Sequence, residues 1–188
     1  MRIVGGELRG RPITAPPGDQ ARPTGDRARQ AVFNILEHAA WSDGVEGARV
    51  VDVFAGSGAL GLEALSRGAA AALFVDKAEA ALAAIRANVA ALGVGARARL
   101  LKADATRLSR RLDTEAPFEL ALLDPPYGKV LGEMALASLR GEGWLAEGAV
   151  AVLERGADEP SLTAPGFEVL DERRYGAARV WFLRVAAP

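Results

Sequence analysis

The sequence predicts an α/β fold, a mostly parallel sheet covered by helices on both faces, with an antiparallel hairpin at the carboxyl-terminal edge. Three observations predict it. Across residues 48–153, short apolar runs alternate with longer segments of helical period, the pattern of buried parallel strands joined by crossover helices. A glycine-rich turn, Phe54-Ala55-Gly56-Ser57-Gly58-Ala59-Leu60-Gly61, separates the first of those runs from the helix that follows. Two β-patterned segments around Tyr175-Gly176-Ala177-Ala178 then close the chain.

Each element has its own signal. Residues 2–14 alternate loosely around Gly5-Gly6 and Arg9-Gly10, which suggests a short amino-terminal β-hairpin. Pro16, Pro17, Gly18 and Pro23 break regular structure, and Asp26 stands where an N-cap would open a helix over 27–39. Ala28, Ala31, Val32, Ile35 and Leu36 recur there at helical spacing. Strands are expected at 50–54, 71–75, 98–102, 118–123 and 149–153, and helices at 60–67, 78–92, 105–112 and 131–139. The closing hairpin covers 167–174 and 179–185.

The 188 residues are half apolar, which suits one sizeable core. The absence of cysteine excludes disulfides, thiolate metal sites and a cysteine nucleophile. With His38 as the single histidine, a histidine-based metal site or triad is nearly excluded too, and no metal is expected. No segment has the apolar run of a signal peptide or a membrane span, so a soluble, cytoplasmic protein is expected. Trp41, Trp144 and Trp181 read as packing residues. Residues 1–29 carry Arg2, Arg9, Arg11, Arg22, Arg27 and Arg29 against Glu7, Asp19 and Asp26, a local net charge of +3 in a chain of net charge −1. A local arginine excess of that kind suits a phosphate backbone or a solvated arm.

Gly56-Ser57-Gly58-Ala59-Leu60-Gly61 fits G-x-G-x-x-G between a strand and a helix. Its glycines let the backbone approach a ligand closely, which serves a pyrophosphate and the methionine part of S-adenosylmethionine equally well. Asp76, just past the second strand, is placed to accept from ribose hydroxyls in either case. Two acids favour the methyl donor over NAD. Asp52 lies inside the first strand, and Asp104, followed by Ala105, stands past the third, where an adenine amine needs an acceptor. The cofactor-binding set is therefore Asp52, Phe54, Ala55, Gly56, Ser57, Gly58, Asp76, Lys77, Asp104 and Ala105.

Asp124-Pro125-Pro126-Tyr127 ends the fourth strand. Consecutive prolines fix two φ angles and remove two N–H donors, so the carbonyls of the turn meet little local competition. An exocyclic base amine is a poor nucleophile because its lone pair is delocalised into the ring. A carboxylate from Asp124 and the Pro125 carbonyl, accepting the two amine hydrogens, redirect that pair. Tyr127 offers a flat face for the base, worth about 1–3 kcal/mol by analogy with single-strand sites. The expected catalytic residues are Asp124, Pro125 and Tyr127, with the surplus proton leaving through Asp124.

These residues resemble the RsmD family, bacterial methyltransferases that modify N2 of one guanine, position 966, in 16S ribosomal RNA. The resemblance covers nearly the whole chain: Met1-Arg2-Ile3-Val4-Gly5-Gly6, Arg9-Gly10-Arg11, Arg22-Pro23-Thr24, Asp26-Arg27, Arg29, Phe33-Asn34, residues 54–68, Asp124-Pro125-Pro126-Tyr127 and Tyr175-Gly176. The loop and the proline turn are shared with other base-amine methyltransferases, whereas the amino-terminal arginine motifs are specific. The resemblance implies a Rossmann-like class I methyltransferase sheet of about seven strands, with S-adenosylmethionine as cofactor. It also implies a substrate of 16S ribosomal RNA in an assembled or partly assembled small subunit. Residues 1–40 would form the RNA-contacting extension and 41–188 the methyltransferase domain. Arg9, Arg11, Arg22, Thr24, Arg27, Arg29 and Pro126 would meet the RNA. Gly25 replaces a frequent threonine, Gln30 a frequent glutamate, and Tyr127 a phenylalanine. Other readings are the same chemistry on adenine N6 or a protein glutamine, usually with Asn at position 124, an NAD-dependent oxidoreductase, or a non-catalytic RNA-binding protein.

Overall fold

A computed structural model describes residues 1–18 and 25–187. Arg22, Pro23 and Thr24 lie outside the described residues. The elements run α1 (Gly25–His38), β1 (Arg49–Val53), α2 (Ala59–Ser66), β2 (Ala71–Asp76), α3 (Glu79–Leu92), β3 (Ala98–Lys102), β4 (Phe118–Leu123), α4 (Leu131–Gly141), β5 (Leu145–Gly156), β6 (Phe167–Tyr175) and β7 (Ala178–Val185). The described strands form one seven-stranded sheet in the order β3-β2-β1-β4-β5-β7-β6. β1 to β5 are parallel, and β7 pairs antiparallel with both β5 and β6. The chain therefore builds outward from β1 through β2 to β3, then returns to place β4 on the other side of β1. Ligands in open α/β sheets bind at such a reversal, outside the carboxyl ends of the strands.

Strand alternation splits the core between the two faces. Val50, Phe74, Leu120, Leu122, Val152 and Phe182 pack on one side with α2, α3 and α1. Val51, Val53, Val75, Ala121, Leu123 and Leu153 pack on the other with Ala135, Leu136 and Leu139 of α4. Both faces are covered, which is why these strands read as nearly continuous apolar runs. Ile3 and Ile13 of the amino-terminal segment, together with Val32, Phe33 and Leu36 of α1, belong to the first core. The amino-terminal region thus shares its hydrophobic core with the sheet.

Three local expectations are corrected. Residues 2–14 fold back as a hairpin, but only Arg2 and Pro12 form a bridge, supported by Ile3 N–H to Arg11 carbonyl at 2.9 Å and Gly10 N–H to Ile3 carbonyl at 2.8 Å. The helix expected at 105–112 is a single 3₁₀ turn, Ala105–Arg107. Beyond it the backbone finds partners on and just beyond α4: Leu108 N–H donates to Ser138 Oγ, and Ser109 carbonyl accepts from Trp144 Nε1. Asp26 sits inside the first turn of α1 rather than before it, because the helix begins at Gly25.

Candidate active site

The turn after β1 is held by two carboxylates. Phe54 has φ 57°, a left-handed conformation uncommon for a bulky residue, and Gly56 and Gly58 follow with φ 56° and 80°. Asp52 Oδ2 accepts from Gly61 N–H at 2.9 Å, tying β1 to the first turn of α2. Asp76 Oδ2 accepts from Gly56 N–H at 3.0 Å, and its Oδ1 from Ala78 N–H at 2.9 Å. Each carboxylate oxygen has a second lone pair for a ligand hydroxyl. Gly61 serves packing: a Cβ there would stand 2.4 Å from Phe74 Cε1.

Past β3, Asp104 Oδ1 caps the 3₁₀ turn, accepting from Thr106 N–H at 2.9 Å and Thr106 Oγ1 at 2.7 Å. The Thr106 hydroxyl, then its N–H, hold the Asp104 carboxyl below its ordinary value, so it stays an acceptor. Asp104 is therefore both a cap and part of the cavity wall. Asp52 is the opposite case. Burial pushes its carboxyl well up, the Gly61 N–H pulls it down, and nearby Asp124 and Asp76 push it further up. Three carboxylates thus meet across the ends of β1, β2 and β4.

They border a cavity of about 620 Å³ at the sheet reversal. Asp52, Phe54, Ala55, Gly56, Ser57, Asp76, Lys77, Asp104 and Ala105 all line it, and so do Asp124 and Pro126. Gly58 stands behind the loop, where an added Cβ would lie 3.2 Å from Ile85 and 3.3 Å from Phe74. Met1, Asp26, Ala28, Arg29 and Val32 of the amino-terminal region also line it, Met1 lying against Ser57 of the loop. Sequence reasoning missed that lining and Glu154, which also borders the cavity.

The proline turn rests on a second cleft, bordered by Pro125, Pro126, Tyr127, Glu133, Glu154 and Arg155. Tyr127 donates its hydroxyl to Glu154 Oε1, and its Cδ2 lies 3.3 Å from where a Gly156 Cβ would stand. Arg155 is buried beneath, 3.0 Å from Glu133 and 3.4 Å from Glu159, with Nη1 donating to Pro160 carbonyl at 2.8 Å. Val130, at φ 48°, leads into α4. Phe54 and Val130, the non-glycine residues of positive φ among the described residues, therefore follow the two strands that flank the reversal.

The arginines separate into two groups. Arg9 and Arg27 are exposed; Arg11 is exposed and donates to the Ala91 carbonyl at 2.7 Å. Arg29 corrects an expectation. It is 6% exposed, donates to Arg2 carbonyl at 2.6 Å and Asp26 Oδ1 at 2.7 Å, and lies 3.6 Å from Glu63 Oε2. Glu63, fully buried, also accepts from Val4 N–H at 2.9 Å and Arg67 Nε at 2.8 Å. These contacts engage the Arg29 guanidinium through Nη2, with Nε facing Glu63, and join α1 and the amino-terminal segment to α2.

A parallel sheet reversing beside β1, an acidic residue ending β2 and another just past β3, and a proline turn past β4 define a Rossmann-like methyltransferase. Residues 1–184 match the family model described as "Conserved hypothetical protein 95", and the chain belongs to that family, the RsmD methyltransferases. It is 36% identical over 165 residues to "Ribosomal RNA small subunit methyltransferase D" of Escherichia coli, covering 88% of this chain and 79% of that one. The Haemophilus influenzae protein of the same description is 29% identical over 177 residues, 94% of this chain and 89% of the relative. Among solved structures, Escherichia coli yhhF, solved as a candidate methyltransferase, aligns with a TM-score of 0.84 at 33% identity over 100% of this chain and 99% of that one. Family membership implies S-adenosylmethionine as the cofactor. The cavity fits it: backbone-braced carboxylates at Asp76 and Asp104 suit ribose and adenine, and close backbone at Gly56 suits the amino-acid end.

Proposed function

We propose that this protein transfers the methyl group of S-adenosylmethionine to the exocyclic N2 of a guanine in 16S ribosomal RNA, in an assembled or partly assembled small subunit. The observation that carries the reading is that Asp124 and Pro126 line the same cavity as Asp76 and Asp104. An amine held by the turn therefore faces a donor held by the loop. The Escherichia coli relative is described as a ribosomal RNA small subunit methyltransferase, which supports the substrate class.

S-adenosylmethionine, when bound, supplies an electrophilic methyl carbon on a sulfonium. The protein's work is alignment and exclusion of water. Asp76 would hold the ribose hydroxyls, Asp104 and Ala105 the adenine, and Gly56 with its neighbours the methionine end. Asp124 and the Pro125 carbonyl accept the amine hydrogens and point the nitrogen lone pair at the methyl carbon. After transfer the surplus proton passes to Asp124. Tyr127 stacks on the base, and exposed Arg9, Arg11 and Arg27 grip phosphates on the flank. In this division residues 1–40 contact RNA, residues 41–188 carry the chemistry, and the work takes place in the cytoplasm.

Asp124→Ala tests the assignment. Turnover on small-subunit RNA should drop by about 10²–10⁴ while calorimetric affinity for S-adenosylmethionine is retained. Wild-type turnover in that variant would refute the role of the turn.

A further inference from the structure

Glu154 is an acidic residue at the site to which the proposed chemistry gives no task. β4 and β5 are parallel and pair as far as Leu123 opposite Leu153; Asp124 is the first residue past β4 and Glu154 the next residue of β5, so both belong to the carboxyl edge of these neighbouring strands. Both residues line the main cavity, alongside the apolar Val152 and Val180. The Tyr127 hydroxyl donates to Glu154 Oε1, which fixes that carboxylate at the edge of the proline turn.

The sheet order gives the two sides of Asp124 different jobs. Asp76 ends β2 and Asp104 lies just past β3, so the donor lies on the β1 side, and β5 lies on the other. A base whose amine is held at Asp124 must therefore extend toward β5. The first charged side chain along that edge is Glu154. Beside its N2 amine guanine carries N1–H, a donor, whereas the adenine ring presents a bare N1 acceptor next to its own amine. A carboxylate attracts the first and repels the second. With about four lone-pair positions, it accepts a base hydrogen as well as that of Tyr127.

Resting on the methyltransferase reading above, we propose that Glu154 accepts the N1–H of the target guanine and is the residue that makes this site select guanine. A buried polar group left facing the wrong edge is the strongest source of discrimination available to such a pocket.

The test uses 16S RNA ligated to carry either guanine or 2-aminopurine at the methylated position, reconstituted into small-subunit particles. 2-Aminopurine keeps the reacting amine but has no hydrogen on N1. Wild-type kcat/KM should favour guanine by about 10²-fold or more. In Glu154→Gln the amide can donate to a bare N1, so the rate on guanine falls, that on 2-aminopurine rises, and the preference shrinks at least about tenfold. Glu154→Ala, which neither accepts nor donates, should also shrink the preference; calorimetry with S-adenosylmethionine checks both variants for an intact donor site. An unchanged preference with both substrates equally slowed would overturn the proposal. So would Tyr127→Phe reproducing the lost preference, because Glu154 would then act only through the tyrosine. Absence of methylation of the guanine particle by the wild-type protein would instead sink the function reading beneath it.

Discussion

Asp52 is a carboxylic acid 1% exposed, held up in pKa mainly by burial and secondarily by Asp124 and Asp76, with the Gly61 N–H opposing. At a pH below about 4 it is protonated in folded and unfolded chains alike and contributes no pH dependence. As pH rises through that value the unfolded chain ionises while the folded one keeps its proton. Stability therefore falls until the raised folded pKa is passed, and then levels off. Asp52→Asn retains an oxygen for Gly61 and never ionises. Its melting temperature should exceed the wild-type value by a margin that widens from about pH 4 upward, as thermal melts across pH will show; parallel curves would rule the charge out as a cost.

At this scale the sequence was informative wherever a polar residue directly follows a strand. Asp76, Asp104 and Asp124 stand at or within two residues of the end of an apolar run, and all three border the cavity. Glu154 stands in the same place after 149–153, but it has no turn motif beside it to set it apart from an ordinary solvated glutamate, and β5 continues past it to Gly156. Phe54 could be named but not its left-handed backbone, since nothing in a phenylalanine favours φ 57°. Arg29 was misjudged because burial, not residue type, decides whether an arginine meets solvent or an internal carboxylate. Its partner Glu63 lies far off in sequence, on a different helix.

Among elements, α1 and α2 are joined by that buried cluster. Glu63 is 0% exposed and takes Val4 N–H, Arg67 and Arg29 together. Glu63→Ala takes the shared carboxylate from Arg29 and Arg67, which keep Asp26 and Glu37 as partners, and leaves Val4 N–H without its acceptor, for which about 1–3 kcal/mol of destabilisation is expected, read from denaturant unfolding. A loss below about 1 kcal/mol would mean that the cluster is solvated in solution. Element types were legible from apolar period, and the strand boundaries at Ala98–Lys102 and Phe118–Leu123 agreed with it. The helix expected over 105–112 failed because Ser138 and Trp144, distant in sequence, satisfy its backbone groups instead. β5 extends past its apolar run at both ends, Glu147-Gly148 hiding one of them, because β7 pairs with its last residues from Val150 to Gly156.

At the scale of the molecule, strand alternation and the closing hairpin anticipated the fold, but not how closely the amino-terminal region is woven into it. Met1, Asp26 and Arg29 line the same cavity as Asp76 and Asp104. Whatever engages the amino-terminal region therefore acts on a wall of the donor pocket, and the two binding equilibria are linked. Linkage is reciprocal: the factor by which small-subunit RNA tightens a non-reactive donor analogue must equal the factor by which the analogue tightens RNA. Titrations in both orders should return a common factor of about 5–150, whereas a factor of one would show the wall to be inert. With such a factor, RNA-free protein releases its donor readily and protein on a particle retains it, so residence time rather than the chemical step would distinguish a searching enzyme from a committed one.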